Sequence, residues 1–250
     1  MKNLNKILGT TIALLSTTTL LGTTTVKAAN HSAGSQQTDA TLTFKTKDKT
    51  QPNRPVDPTN PSQPGGTPPN TGDPNNNGTN SGGPLSIDYA PNFDFGIGEV
   101  ISESKTYNLK DAKYSDGQTR NHNPFVQVSD NRGTSEGWSL DASISNFTNS
   151  QGNTTQNLEG AQVSLQTSDN DKAIGGHGTT SDAPDAKSEP IVLSNSPQTL
   201  INAKENTGRG AWIQRYDPSK ISLFVPGGSA LSDTVYTAKI TWTLSASPVN

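Results

Sequence analysis

The sequence contains no cysteine, so no disulfide can brace it and no thiol chemistry is open to it. Its stability must therefore come from packing. Histidine is nearly as scarce: His31, His122 and His177 are scattered, and the "GGHG" around His177 reads as a loop. A zinc site needs three or four converging ligands, so neither a metal nor a cofactor is expected. No G-x-S-x-G or H-E-x-x-H occurs. The "FDFG" at Phe93 to Gly96 contains D-F-G without the catalytic loop, the lysine and the glycine-rich loop that give it meaning in kinases. Asp94 and Gly96 there read as a turn. The D-N-D of "SDNDK", Ser168 to Lys172, lacks the glycine and distal glutamate of a calcium loop. The nearest carboxylate pair, Glu99 and Glu103, reads as surface charge beside a strand. No catalytic residue emerges, and the chain is not expected to be an enzyme.

Positive charge is also in short supply, with 19 basic against 22 acidic residues. Three of the lysines sit in residues 1 to 28, "MKNLNKILGTTIALLSTTTLLGTTTVKA", where Lys2 and Lys6 form a basic start and an apolar and threonine stretch follows from Ile7. Val26-Lys27-Ala28 then supplies small-residue cleavage geometry, so the segment is expected to be a secretory signal peptide cut near Ala28. Gly9, Gly22 and the threonines keep its apolar run short of the ~20 residues a membrane span needs. Without Lys2, Lys6 and Lys27 the mature chain holds 16 basic and 22 acidic residues, a net charge of −6. Bulk attraction to nucleic acid or to an anionic surface is excluded by that sign.

Long hydrophobic runs are missing, and hydrophobic residues make up 28% of the chain. The shortage is local rather than uniform. Residues 50 to 84 hold nine of the seventeen prolines and six glycines, which reads as an extended, solvated linker or long loop. Before it, residues 29 to 49 carry one strand candidate, "TLTFKT" at Thr41 to Thr46, with Leu42 and Phe44 on one face. Two apolar side chains cannot fold alone, so this piece is either loose or, the expectation adopted, docked as a strand on the domain beyond the linker, residues 85 to 250.

In that domain short alternating runs are separated by Gly, Asn, Asp and Pro. Strands are expected around Ser86 to Tyr89, Gly98 to Ser102, Lys105 to Leu109, Phe125 to Val128, Trp138 to Ile144, Ala161 to Thr167, Pro190 to Leu193, Thr199 to Asn202, Ala211 to Arg215, Lys220 to Val225 and Val235 to Ser245. No fifteen-residue window keeps a helical apolar period. The class is all-β: one sandwich-like domain of about ten or more short strands, with a long Pro/Gly/Asn-rich loop near its N-terminus. Two of the three tryptophans fall in W-x-L tripeptides, Trp138 to Leu140 and Trp242 to Leu244. Alternation places Tyr236, Ala238, Ile240, Trp242 and Leu244 on one face and Thr237, Lys239, Thr241, Thr243 and Ser245 on the other. Trp138, Leu140, Ala142 and Ile144 likewise oppose Ser139, Asp141, Ser143 and Ser145. Trp138, Leu140, Trp242 and Leu244 are thus expected in the core.

Two W-x-L motifs, the second within "YTAKITWTLSASP", resemble the WxL-domain proteins of the Gram-positive surface. "GPLSIDYAPNFDFG" from Gly83, "WIQRYDPSKISLFVP" from Trp212 and the early "ATLTF" fit the same pattern. The resemblance covers nearly the whole mature chain. It implies an exported all-β module that attaches noncovalently to the cell wall with peptidoglycan as ligand, in the short class with a single WxL domain. Membrane-anchored WxL-interacting proteins and other surface proteins are implied as partners. A protein-interaction subunit binding such a protein or a host matrix component, without direct glycan contact, is the alternative. No LPXTG-type signal, second apolar span or lipidation cysteine appears in the sequence, in keeping with an expected extracellular location held by folded surface. Sugar binding at a wet surface favours aromatic faces with polar neighbours. Trp212, Gln214 and Tyr216 share a face if Ala211 to Tyr216 is a strand, which makes them the candidate ligand residues outside the W-x-L tripeptides, although core packing is the stronger reading for Trp212 itself. Mass spectrometry of the protein recovered from the wall should find its N-terminus near Ala29; an intact Met1 would refute the signal-peptide reading.

Overall fold

The computed structural model describes residues 39–48, 50–58, 76, 78–113, 119–120, 124–151, 154–168, 174–175 and 180–249. The chain divides into two units after Thr43. The described part of the first, residues 39–43, is irregular and exposed. The second, Phe44–Asn250, holds every described strand. The strand expected at Thr41 to Thr46 does not form: the stretch has no sheet partner, and Leu42 and Phe44 are 78% and 86% exposed.

Sixteen strands follow one another among the described residues: β1 (Leu85–Tyr89), β2 (Lys105–Asn108), β3 (Ala112–Lys113), β4 (Thr119–Arg120), β5 (Phe125–Asp130), β6 (Trp138–Ile144), β7 (Thr148–Gln151) and β8 (Thr154–Asn157), then β9 (Gln162–Leu165), β10 (Ile174–Gly175), β11 (Asp185–Ala186), β12 (Ile191–Val192), β13 (Gln198–Ala203), β14 (Gly210–Arg215), β15 (Ser222–Val225) and β16 (Ile240–Ser245). They form three four-stranded sheets in the orders β1-β5-β14-β10, β11-β13-β6-β16 and β12-β9-β15-β2, plus the hairpins β3-β4 and β7-β8. All pairings are antiparallel, the arrangement that lets a sheet bury one face and wet the other. The three inner faces share one core, built from Val126, Val128, Trp138, Leu140, Val163, Leu165, Ile201, Trp212 and Leu223 among others. Among the described residues the helical content is two single 3-10 turns, Thr180–Asp182 and Pro218–Lys220, and no described helix is long and apolar enough to cross a membrane.

Two expectations are corrected. Gly98 to Ser102 is irregular, with Ile97 and Val100 exposed. Its chain runs so close to β2 that a Cβ on Gly98 would meet the Tyr107 ring. The final strand begins at Ile240 rather than Val235, because β6 ends at Ile144 and Thr237 can only bridge to Thr148.

The larger surprise is β5, buried at every position on both faces. Val126 and Val128 enter the main core, while Phe125 joins Val56, Tyr89 and Ile213 in a second cluster. What covers this second face is residues 52–58, part of the stretch expected to be a solvated linker. Val56 is 5% exposed; burying such a side chain is worth about 1.5–3 kcal/mol. A bulge at Ile87/Tyr89 lets β1 present both Asp88 and Tyr89 towards this face. Tyr89 stacks on Phe125 with centroids 4.2 Å apart. The Gln127 side chain accepts from Val56 N at 2.7 Å and donates to Arg54 O at 3.2 Å and to Asp88 Oδ2 at 2.7 Å. Ser86 and Ser129 also donate to Asp88, and Asn53 donates to Ser86 Oγ. The strap is therefore held by a buried carboxylate network. Its return limb is tied too, through a Pro52–Gly82 bridge and a bond from Thr79 N to Asp88 O.

Burial is the dominant effect on Asp88 and raises its carboxyl above the usual 3.8, while hydrogen bonds from Ser129, Ser86, Gln127 and Asn53 oppose the shift without reversing it. The folded state thus holds that proton more tightly than the unfolded chain. The stabilisation is full below the unfolded value and is lost as pH rises through the folded one. In urea melts between about pH 3.5 and pH 7, wild-type stability should fall relative to Asp88→Asn and then level off. A gap that widens in favour of the wild type would mean that the hydrogen bonds outweigh burial. Trp138, fully buried, should cost about 3–5 kcal/mol when cut to alanine, read as a fall in the denaturation midpoint; a loss under 1 kcal/mol would contradict its central place.

Candidate functional site

The two W-x-L strands are neighbours. β6 lies between β13 and β16, and the ladder with β16 pairs Leu140 with Leu244 and Ala142 with Trp242. Because the strands run antiparallel, aligning the leucines sends the two tryptophans to opposite ends. Trp138 enters the core with no exposed surface, and its Nε1 donates to Gly208 O at 2.9 Å. Gly208 has a φ of +77°, and a Cβ there would stand 2.6 Å from Trp138 Nε1, so both the backbone twist and the close approach require glycine. Trp242 sits instead on the last strand of its sheet. It is half-buried, as are Ile240 and Leu244, and these side chains pack against the rim of the main core. The motif expected in the core is therefore split: Trp138 and Leu140 are interior, whereas Trp242 and Leu244 line an edge.

Trp212, Gln214 and Tyr216 do share a face, but it is the inner one. They are 1%, 0% and 2% exposed. Trp212 Nε1 donates to Arg209 O at 2.9 Å, Gln214 Nε2 donates to Lys187 O at 3.1 Å, and Tyr216 OH donates to Gln214 Oε1 at 3.3 Å. Burial raises the Tyr216 phenol well above its ordinary range, so it stays a neutral donor. These three side chains brace the interior of β14, and a ligand at the surface cannot reach them. Their nearest link to the rim is the Tyr216 ring, 6.4 Å from that of Trp242 and tilted by 44°.

Trp242 differs from the other two tryptophans in chemistry as well as place. Its indole N–H has no hydrogen-bond partner among the described residues, and its ring reaches solvent. The backbone of β16 is equally open. Lys239 O accepts from Ser145 N, and bonding alternates along an antiparallel strand, so Lys239, Thr241, Thr243 and Ser245 bond to the β6 side. The backbone groups of Ile240, Trp242 and Leu244 point away from the sheet, where β16 has no neighbouring strand among the described residues.

The outer face of the same sheet is polar. Thr199, Asp141 and Thr243 form one cross-strand row, Ser143 and Thr241 the next, and Ser145 and Lys239 follow. Thr241, Thr243, Ser145 and Lys239 are exposed. One end of this face is covered by the chain after β16: Ser139 Oγ donates to Ser247 O at 3.1 Å, Asn202 exchanges two hydrogen bonds with Val249, and Arg132 donates to Ala246 O while paired with Asp130 at 2.8 Å. The other end opens into a groove of about 360 Å³ lined by Ser145, Asn146, Thr148, Asn157, Asn195, Thr237 and Lys239. Alternation in the sequence marks the outer face, but the groove draws on segments whose composition gave no such signal.

Open backbone, a half-buried tryptophan and a hydroxyl-rich face suit adhesion to an extended polymer. Comparison with known proteins agrees in kind. A family model described as WxL domain surface cell wall-binding matches residues 31–248. No curated protein and no solved structure matches the chain. The match takes in both W-x-L strands, the strap and the sheets that carry them, and the chain belongs to the WxL-domain family of surface proteins that bind the cell wall.

Proposed function

We propose that the protein is exported and attaches noncovalently to the Gram-positive wall by binding peptidoglycan directly, with β16 as its contact strand. Trp242 is the observation that carries this reading. A half-buried indole at a sheet edge, its N–H without a partner among the described residues, can offer stacking to a sugar ring and one hydrogen bond to its hydroxyls. The exposed hydroxyls of Thr241 and Thr243 continue that surface around the strand. The net charge of −6 computed for residues 29 to 250 opposes attachment by bulk attraction to an anionic wall, which leaves specific contacts of this kind to hold the protein.

The open edge of β16 supports a second reading, in which the ligand is a protein. Outward backbone groups at Ile240, Trp242 and Leu244 can accept an added strand from a partner. A membrane-anchored WxL-interacting protein, another surface protein or a host matrix protein would then be the anchor.

Sedimentation with sacculi stripped of protein separates the two. The mature protein should co-pellet at physiological salt, and Trp242→Ala should lose about tenfold in retention, the loss of a contact worth about 1.4 kcal/mol, while keeping a cooperative melt. Failure of the wild type to pellet, together with binding to a partner protein in solution, would replace this reading with the second. Undiminished pelleting of Trp242→Ala would remove Trp242 from the contact surface.

A further inference from the structure

Resting on that reading, we infer that the groove at the start of β16 is the subsite for an N-acetylated, negatively charged unit of the wall glycan, with Lys239 receiving the anion. The argument begins with how firmly the groove is framed. Thr148 and Thr237 exchange two backbone hydrogen bonds of 2.8 and 2.9 Å, and Ser145 N donates to Lys239 O at 2.9 Å. Lys239 N donates to Ser145 Oγ at 2.9 Å. Ile144 N donates to Ser194 O, which fixes the turn carrying Asn195, and Leu158 N donates to Phe147 O, which fixes the end of β8 at Asn157. Every lining residue is thus on or beside a bonded backbone position.

The side chains are arranged the opposite way. The carboxamides of Asn146, Asn157 and Asn195 and the ammonium of Lys239 make no hydrogen bond or ion pair among the described residues, although all four converge on one groove. The backbone frame is already ordered, so a ligand has only these exposed side chains left to order on binding. The groups also define the ligand. A carboxamide offers donors and an acceptor together, which matches the N–H and C=O of an acetamido group and the paired hydroxyls of a sugar. Lys239 contributes a point charge with three donors, and among the described residues it is the only charged one lining the groove. In a chain with an acidic excess, a lone cation among amides selects an anionic unit over a neutral one. The volume, about 360 Å³, lies at the small end of ligand sites. The groove also continues the row of Thr243, Thr241 and Lys239 along β16, so a polymer resting on that face runs into it.

A carboxylate on the glycan or its peptide and a phosphate of a linked polymer share this chemistry. The test uses the mature full chain, a soluble disaccharide-peptide from peptidoglycan, a neutral chito-oligosaccharide, and sacculi before and after removal of phosphodiester polymers. Lys239→Gln should weaken disaccharide-peptide binding about tenfold at low salt, with the difference shrinking as salt rises, as a charge-assisted contact requires. The neutral oligosaccharide should not distinguish Lys239→Gln from the wild type, and Asn195→Ala should weaken both ligands. Lys187→Gln, an exposed cation outside the groove, serves as control. Equal binding of the disaccharide-peptide by wild type and Lys239→Gln overturns the groove assignment while leaving peptidoglycan binding intact. Retention by untreated but not stripped sacculi, lost in Lys239→Gln, keeps the groove, makes the anion a phosphodiester and overturns the peptidoglycan reading.

Discussion

The ladder between β6 and β16, with Leu140 opposite Leu244 at its centre, sets the position of everything else discussed for this domain. Each leucine buries against the core only if both strands keep this register, and a slip by one residue would turn the threonine row inward and the tryptophans out. With the register fixed, antiparallel geometry does the rest. One tryptophan goes to the centre of the fold and the other to its border, although the two tripeptides are nearly identical. The family signature is thus one structural unit made of two strands, rather than two copies of one site.

The second face of β5 shows how a chain without disulfides gains a second packed layer. A strap with a single large apolar side chain, Val56, has little to bury, so its attachment depends on Gln127, which grips the strap backbone on one side and Asp88 on the other. A buried carboxylate is costly on its own. Here Ser86, Ser129, Gln127 and Asn53 surround it with donors, and the network fixes where the strap lies as well as how strongly it is held.

Much of this architecture was legible in the sequence, and the exceptions share a cause. Strands with alternating apolar residues, such as β6, β14 and β16, declared both their existence and their faces. The hairpin β7-β8 did not, because Thr148 to Asn157 is polar throughout and is placed by backbone bonds to Thr237 and Phe147. The strap at residues 52–58 is silent in the sequence, since Pro and Asn composition resembles a solvated linker and the partner that holds it lies some seventy residues away, at Gln127. Trp212 and Trp242 have similar local patterns, each on an apolar face of a strand. What separates them is that β14 lies inside its sheet and β16 at the border of its own. Sheet order is a property of the whole topology, so no local pattern could rank one tryptophan above the other as a ligand contact.

The Pro52–Gly82 bridge also bears on how this domain can change over evolutionary time. It joins the two limbs of the strap, and the limbs are fixed further in, where Arg215 donates to Pro58 O and Asn76 donates to Ala90 O, so a change in the number of residues between Pro58 and Asn76 leaves the contacts of both limbs in place. Closing a loop of twice the length costs only about 0.6 kcal/mol more. Insertions and deletions there are nearly neutral for folding, which leaves selection free to lengthen, decorate or replace that stretch while the sheet that carries both W-x-L strands stays as it is.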